Sequence, residues 1–249
     1  IFNTLFIQAY RLVFGRILPQ RWLRAKIPSE SERKAVQGMI NLEIVSHCWG
    51  YANMLTYQLS SYVNYPPTKL NLTATVFYSQ EDEKTAAVLA YFEKIDVPNV
   101  TWNFQPISKP KLFRRGIGRN MAAQSTKADW IWFTDCDIIF HENCLDSLAD
   151  ELQGKKEVLY YPHSEKTTDM LKDDDPMLRK DAGPQVVDID TAGFSSHTRD
   201  KAKGAFQIVH GDVLRAVGYC ERLRLYQSET YHWRKTYDDT AFKWLIGSE

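Results

Sequence analysis

Little in this chain declares a partner through bulk properties. Lysine and arginine total 31, aspartate and glutamate total 31, and the formal net charge is zero. No global field recruits a nucleic acid or another polyanion, so any electrostatic function has to be local. Cysteine is scarce: Cys48, Cys136, Cys144 and Cys220 form no CxxC pair, against a zinc ribbon or a thioredoxin-type motif. Free thiols in a reducing compartment are the simpler reading. Gly116-Ile117-Gly118 lacks the third glycine of a dinucleotide loop and opens no suitable unit. There is no repeat and no low-complexity tract. What is abundant is apolar material, 44% hydrophobic and 13% aromatic over 249 residues, which rules out disorder as the main state and fits one domain with a sizeable core.

The first residue is Ile rather than Met, which leaves an upstream anchor or signal open. Ile1 to Leu23 is rich in Phe, Ile, Leu and Trp, and Arg11, Arg16, Arg21, Arg24 and Lys26 bring five positive charges before the first acid, Glu30. Gln8 and Arg11 interrupt it before the roughly 20 apolar residues a membrane span needs. Two readings stand: a basic amphipathic helix at an anionic membrane surface through residues 1–24, or a helix packed on the domain. The expected organisation is a basic helical segment over 1–38 and one catalytic domain over 39–249. Within it, 39–140 forms a nucleotide-binding half and 141–249 an acceptor half.

Met39 to Ser46 reads as a buried strand ending in a polar turn, Ala52 to Val63 as a helix stopped by Pro66-Pro67, and Leu72 to Tyr78 as a second strand. A helix over Lys84 to Ile95 and a strand over Val100 to Phe104 follow. Alternating strands and helices predict an α/β fold with a mostly parallel central sheet flanked by helices, whose ligands meet the carboxyl ends of the strands. Phe113 to Lys127 is expected to be helical. Trp130 to Thr134 has no polar face and should be a fully buried strand. Beyond it, Val158 to Tyr161, Ala205 to Val209, Val213 to Val217 and Tyr237 to Leu245 carry periodic signal. His163 to Lys203 is polar and reads as a long functional loop that orders on donor binding and selects the acceptor.

The chemistry concentrates at Asp135-Cys136-Asp137. Two carboxylates at the end of a buried apolar strand are costly unless a cation meets them. Mg²⁺ or Mn²⁺, with phosphate and water completing the shell, is the economical answer; a solvated turn is the bland one. Upstream, Lys109, Lys111, Arg114, Arg115 and Arg119 form a run without an acid, complementary to a diphosphate or else a solvated helix face.

The run RRGIGRNMAAQSTKADWIWFTDCDIIF, with Arg119-Asn120 ahead of the strand and its DxD, resembles the core of family 2 glycosyltransferases of the GT-A fold. GAFQIVHGDVLRAVGYCE is similar to a later segment of that family. Tyr237 to Phe242 is similar to its Glu-Asp motif and to the galactosyltransferase C-terminal module, with Asp238-Asp239 in place of Glu-Asp. The resemblance implies a metal-dependent transferase that moves a sugar from a nucleoside-diphosphate sugar, of the UDP type, to a hydroxyl of a carbohydrate or lipid-linked glycan, with inversion. It implies that Ser46, His47 and Cys48 line the nucleoside, that Glu81 or Asp82 faces the base, and that Arg115, Arg119, Asp135 and Cys136 lie along the nucleotide sugar. Asp135 and Asp137 would hold the metal, with His210 as a candidate third ligand, since Mn²⁺ accepts imidazole. Asp239 would be the general base, and Asp238 and Trp233, with His232, would meet the acceptor; helix capping is the plainer role for the two acids. The implied location is cytoplasmic, peripheral at a membrane, with a Golgi-type lumen as the alternative.

Two other readings use the same residues. Phosphatases of the haloacid dehalogenase type also place DxD after an apolar strand, but Ile139 stands where that family uses Thr or Val, and a long α/β stretch precedes it. A non-catalytic binding protein that keeps the fold is the third, disfavoured by retention of both acidic motifs.

Overall fold

A computed structural model describes residues 19–178, 183–202 and 204–248. Most of the expected N-terminal helix falls on residues 1–18, outside the described residues. The helical expectation does not hold for the rest of that segment: after a single 3-10 turn at Gln20–Trp22, residues 23–39 run across the domain through turns and extended backbone. Residues 28–33 close a turn on themselves, with Ser29 N–H donating to the Glu32 carboxylate at 2.7 Å, and the strap is tied to the domain on either side of it. Lys34 N–H donates to the Asp212 carboxylate at 2.8 Å, Gly38 N–H to Gln153 Oε1 at 2.7 Å, and Arg33 to the Lys156 carbonyl.

The strands are β1 Ile40–Cys48, β2 Leu70–Tyr78, β3 Val100–Pro106, β4 Trp130–Phe133, β5 Leu159–Tyr160, β6 Ser164–Thr167, β7 Ser195–Thr198 and β8 Gln207–His210. The helices are α1 Ala52–Asn64, α2 Glu83–Phe92, α3 Lys109–Leu112, α4 Arg115–Ser125, α5 Cys144–Leu152, α6 Gly211–Val217, α7 Arg224–Gln227 and α8 Asp238–Ile246. Among the described residues, six strands form the central sheet in the order β3-β2-β1-β4-β8-β5. β1 to β4 pair in parallel, and β8 alone runs against its neighbours. This is the mostly parallel α/β architecture read from the sequence.

The strand WIWF shows why the sheet is covered on both faces. All four residues are buried, and their side chains alternate between two cores. Trp130 and Trp132 pack with α1, α2 and α5; Ile131 and Phe133 pack with α4, α6 and α8. Each such side chain contributes about 1.5–3 kcal/mol on burial, so β4 is anchored from both sides and its end is fixed in space. Gly116 and Gly118 let α4 approach closely: a Cβ at Gly116 would lie 2.5 Å from the Tyr226 carbonyl oxygen, and one at Gly118 would lie 2.2 Å from His47 Nε2. These glycines serve packing, in keeping with the rejection of a dinucleotide loop.

The described residues between 163 and 202 are less open than expected of a bare loop. Its two ends pair as β6 and β7, with Glu165 and Arg199 ion-paired and the Arg199 guanidinium 4.0 Å over the Phe206 ring. Between them, Val187 docks on α1, its N–H donating to Ser60 Oγ at 3.0 Å and its carbonyl accepting from Asn64 Nδ2 at 2.8 Å.

Candidate active site

In a parallel sheet the carboxyl ends of the strands share one edge, and the order β2-β1-β4 gathers three of them side by side. β1 ends in Ser46, His47 and Cys48; Glu81 and Asp82 follow β2; Asp135-Cys136-Asp137 follows β4. β8 is antiparallel and pairs Gln207 with Phe133, so its amino end reaches the same edge. There Gln207 Nε2 donates to the Asp239 carbonyl at 2.9 Å, and Gly204 N–H donates to Asp239 Oδ2 at 3.0 Å. The first turn of α8 is thereby held beside the DxD edge. Asp238 and Asp239 are the first residues of α8, inside its first turn, and the cap position is held by Tyr237.

Asp135 is half-buried and ion-paired to Arg115 at the first position of α4. Asp137 is exposed, and its pKa is raised by partial desolvation and by the Asp135 charge beside it. Among the described residues no group of three or more His, Cys, Asp and Glu side chains is arranged to hold a metal ion. Two hard carboxylate donors at one strand end nevertheless suit Mg²⁺ or Mn²⁺ when diphosphate oxygens and water fill the remaining positions. Behind them the Cys48 and Cys136 thiols hydrogen-bond to each other. This contact, the largest influence on each, draws Cys48 down and pushes Cys136 up. Both thiols are buried, as is Ser46, so these three back the site rather than line its surface. The His47 ring stacks on Phe77 at 5.1 Å, and neither ring nitrogen has a hydrogen-bond partner among the described residues. Desolvation, then Arg119 and Arg115, hold its pKa well below the ordinary value, so the ring is neutral.

Residues 69–209, more than half of the chain, match the family model described as Glycosyl transferase family 2. The chain belongs to this family. The matched span contains β2 to β7, all of β8 but His210, and the DxD, and it ends before Tyr237, so the likeness of residues 237–242 to the galactosyltransferase module lies outside it. Among solved structures, the chain is similar to S. aureus TarS 1-349 in complex with UDP at 16% identity and a TM-score of 0.38, over 45% of this chain and 32% of that one. It is similar to the mannosyltransferase PcManGT from Pyrobaculum calidifontis in complex with GDP-Man and Mn²⁺ at 15% identity and a TM-score of 0.35, over 61% and 41% of the chains. Mouse xyloside xylosyltransferase 1 in its apo form matches at 9% identity and a TM-score of 0.43, over 84% and 82%. The chain therefore spans about a third of the first of these structures. No curated protein sequence matches it.

Several residues of this family 2 member take other positions than the sequence suggests. His210 pairs with Trp130, at the start of β4, which puts it roughly 16 Å along the strand from the DxD. Its Nε2 faces the Lys34 carbonyl at 3.0 Å and its Nδ1 accepts from Asp212 N–H at 3.2 Å. It is a helix cap at the opposite edge and not a third metal ligand. Arg119 is 2% exposed and lies inside the second core, donating to Tyr219 Oη at 2.7 Å and to Asp238 Oδ2 at 3.1 Å. Asp238 is 6% exposed and also accepts from Thr236 Oγ1 at 3.2 Å. This charge pair locks α4 to α8, so Arg119 does not reach a nucleotide and Asp238 does not reach an acceptor.

The cationic run divides likewise. Arg114 donates to the Ser228 carbonyl at 3.1 Å, Lys109 sits 4.3 Å over the Trp49 ring, and Lys111 is 4.0 Å from Glu229. Of the run, Arg115 alone meets the DxD. Asp82 caps α2, accepting from Thr85 N–H at 3.2 Å and Oγ1 at 2.6 Å, and accepts from Gly50 N–H at 2.6 Å. It ties the β1 and β2 ends together, while Glu81 is the exposed acid of that turn. Trp233 and His232 are exposed in the segment before α8, which is tied to α3 by Thr230 N–H donating to the Pro110 carbonyl at 3.0 Å. Sequence reasoning missed Gln58, which holds the backbone of the DxD turn, and Tyr219, which completes the Arg119 pair. A glutamine inside an apolar helix face is the one local signal for the former.

Proposed function

We propose that this chain is a metal-dependent glycosyltransferase that moves a sugar from a nucleoside-diphosphate sugar, a UDP-sugar first among the donors to test, to a hydroxyl of a carbohydrate or lipid-linked glycan, with inversion. The observation that supports it best is the shared edge: Asp135 and Asp137 after β4, Arg115 at the start of α4, and Asp239 at the start of α8, in a family 2 domain. The nucleoside would enter over the ends of β1 and β2, with His47 beneath it and Glu81 at its base. Arg115 would exchange its pairing with Asp135 for the diphosphate, which suits a planar guanidinium. A divalent cation held by Asp135 and Asp137 would supply Lewis-acid stabilisation of the charge developing on the leaving diphosphate.

Asp239 would act as general base. Its Oδ2 is oriented by Gly204 N–H, which leaves the other carboxylate oxygen to take the proton from the acceptor hydroxyl as that oxygen attacks the anomeric carbon. Exposed Trp233 would stack on the acceptor ring.

Thermal shift with UDP, GDP and CMP sugars, with and without Mn²⁺, tests the reading. Nucleotide stabilisation only with metal, abolished by Asp137→Ala, supports it. No nucleotide response together with hydrolysis of a generic phosphoester would sink it. Asp239→Asn is expected to bind donor and lose transfer; unchanged turnover removes the base assignment.

We further propose a cytoplasmic location with peripheral membrane contact through residues 1–24. Arg21 and Trp22 are exposed at the end of that segment, and no helix among the described residues is long and apolar enough to cross a membrane. Sedimentation with phosphatidylserine vesicles should fall when residues 1–18 are removed; an unchanged bound fraction overturns that contact.

A further inference from the structure

The strand pairing of β4 stops one step short of the DxD. Thr134 N–H donates to the Val45 carbonyl at 3.0 Å, and beyond it the backbone that carries Asp135 and Asp137 has no neighbouring strand among the described residues. It turns back on itself through Ile138 N–H to the Asp135 carbonyl at 3.3 Å. Arg115 and Cys48 hold the side chains of Asp135 and Cys136, and Thr134 Oγ1 donates to the Asp135 carbonyl at 3.5 Å; the hydrogen bonds that reach the backbone of this turn from another element come from α1. The Gln58 side chain is 1% exposed, and its Nε2 donates to the Asp135 and Ile138 carbonyls, each at 2.9 Å. One helical turn on, Ser61 Oγ accepts from Phe140 N–H at 3.1 Å while donating to the Gln58 carbonyl at 2.6 Å.

A buried amide is retained only where its hydrogen bonds are made. Here both N–H groups of one amide grip the two carbonyls that bracket Asp137. The geometry points to Gln58 as the positioning residue of the DxD: it sets the direction in which the Asp135 and Asp137 carboxylates face the metal and diphosphate. This rests on the metal-dependent reading above. Gln58 touches neither donor nor metal; it acts through the backbone of the residues that do. The opposite side of α1 carries Ser60 and Asn64, which hold residue 187 of the 163–203 segment, so the helix joins that segment to the DxD turn.

Outer residues that orient metal ligands typically change metal affinity about 10–100-fold when removed. Gln58→Met keeps the volume and deletes both donors. In thermal-shift titrations of Mn²⁺ at saturating UDP, the half-saturating Mn²⁺ concentration is expected to rise at least about tenfold in this variant. Gln58→Asn, which keeps an amide on a shorter arm, should give a smaller rise and serves if the Met variant fails to fold. Thr56→Val, which removes a hydrogen bond to the Ala52 carbonyl in the same helix, controls for stability: it should lower Tm and leave Mn²⁺ half-saturation unchanged. A Gln58 variant that only lowers Tm, with the Mn²⁺ titration of the unmodified chain, overturns the positioning role and leaves the metal reading intact. An unmodified chain with no Mn²⁺-dependent UDP response overturns the metal reading and this inference with it.

Discussion

The Arg119–Asp238 pair gives the sharpest test of how the two ends of the domain are joined. The guanidinium is 2% exposed and the carboxylate 6%, their charged atoms are 3.1 Å apart, and Tyr219 Oη stands 2.7 Å from Arg119 Nη1 and 3.4 Å from Asp238 Oδ2. Burial works against the charged guanidinium, yet Tyr219 and Asp238 outweigh it and hold its pKa above the ordinary arginine value. Asp238→Ala would strand that charge in an apolar core, a loss of about 3–5 kcal/mol. At about 2–4 °C for each kcal/mol in a chain of this size, Tm should fall by about 6–20 °C. Asp238→Asn keeps an acceptor oxygen for both partners and should cost less. Replacing the pair together, Arg119→Met with Asp238→Leu, removes both charges and should recover much of the loss, since a buried pair often exchanges for apolar side chains at little net cost. Thermal denaturation followed by tryptophan fluorescence reads all three variants. An Asp238→Ala protein within about 2 °C of the parent Tm would refute the structural role and return Asp238 to the acceptor side.

Two further outcomes follow from the same core. Gly118→Ala would bring a methyl group to 2.2 Å from His47 Nε2 and 3.0 Å from the Phe77 ring; overpacking of this kind costs about 1–3 kcal/mol, and a urea midpoint equal to the parent's would show that the His47 ring can move aside. His47 has a depressed folded-state pKa, caused first by desolvation and then by Arg119 and Arg115. The unfolded chain therefore takes up its proton first, and stability should decline as pH falls below about 6.5, with a limiting slope of about 1.4 kcal/mol per pH unit for one histidine. His210 is depressed as well, chiefly by burial, and adds a slope of the same sign, so His47→Gln should flatten the pH dependence between pH 6.5 and 5 without abolishing it. Urea midpoints across that range check this, and identical slopes in parent and variant would refute the neutral buried ring.

The sheet was legible because its signals are local. β1, β2 and β4 are apolar or β-branched runs bounded by polar turns, and each is observed within two residues of its expected span. Helix α5 was not anticipated although Leu145, Ala149 and Leu152 are its buried stripe; the acids Asp146, Asp150 and Glu151 between them mask the period. The DxD stood out for an equally local reason, two charges placed directly after the five buried residues Trp130 to Thr134.

What local pattern does not carry is the direction of a strand and the company a charge keeps across the chain. His210 follows an apolar strand just as Asp135 does, and a residue after a strand reaches the ligand edge only if that strand is parallel to its neighbours. β8 is reversed, so the residue after it points to the far edge and the residues before it, Gly204 to Gln207, reach the site. Arg119 and Asp238 are separated by 119 positions, and each alone resembles a surface group beside a motif. Their mutual neutralisation makes burial tolerable for both, and it removes them from the solvent side of the site. The same reversal of β8 that displaces His210 brings the Asp239 carboxylate, through Gly204 and Gln207, to the edge where the carboxylates of β4 end.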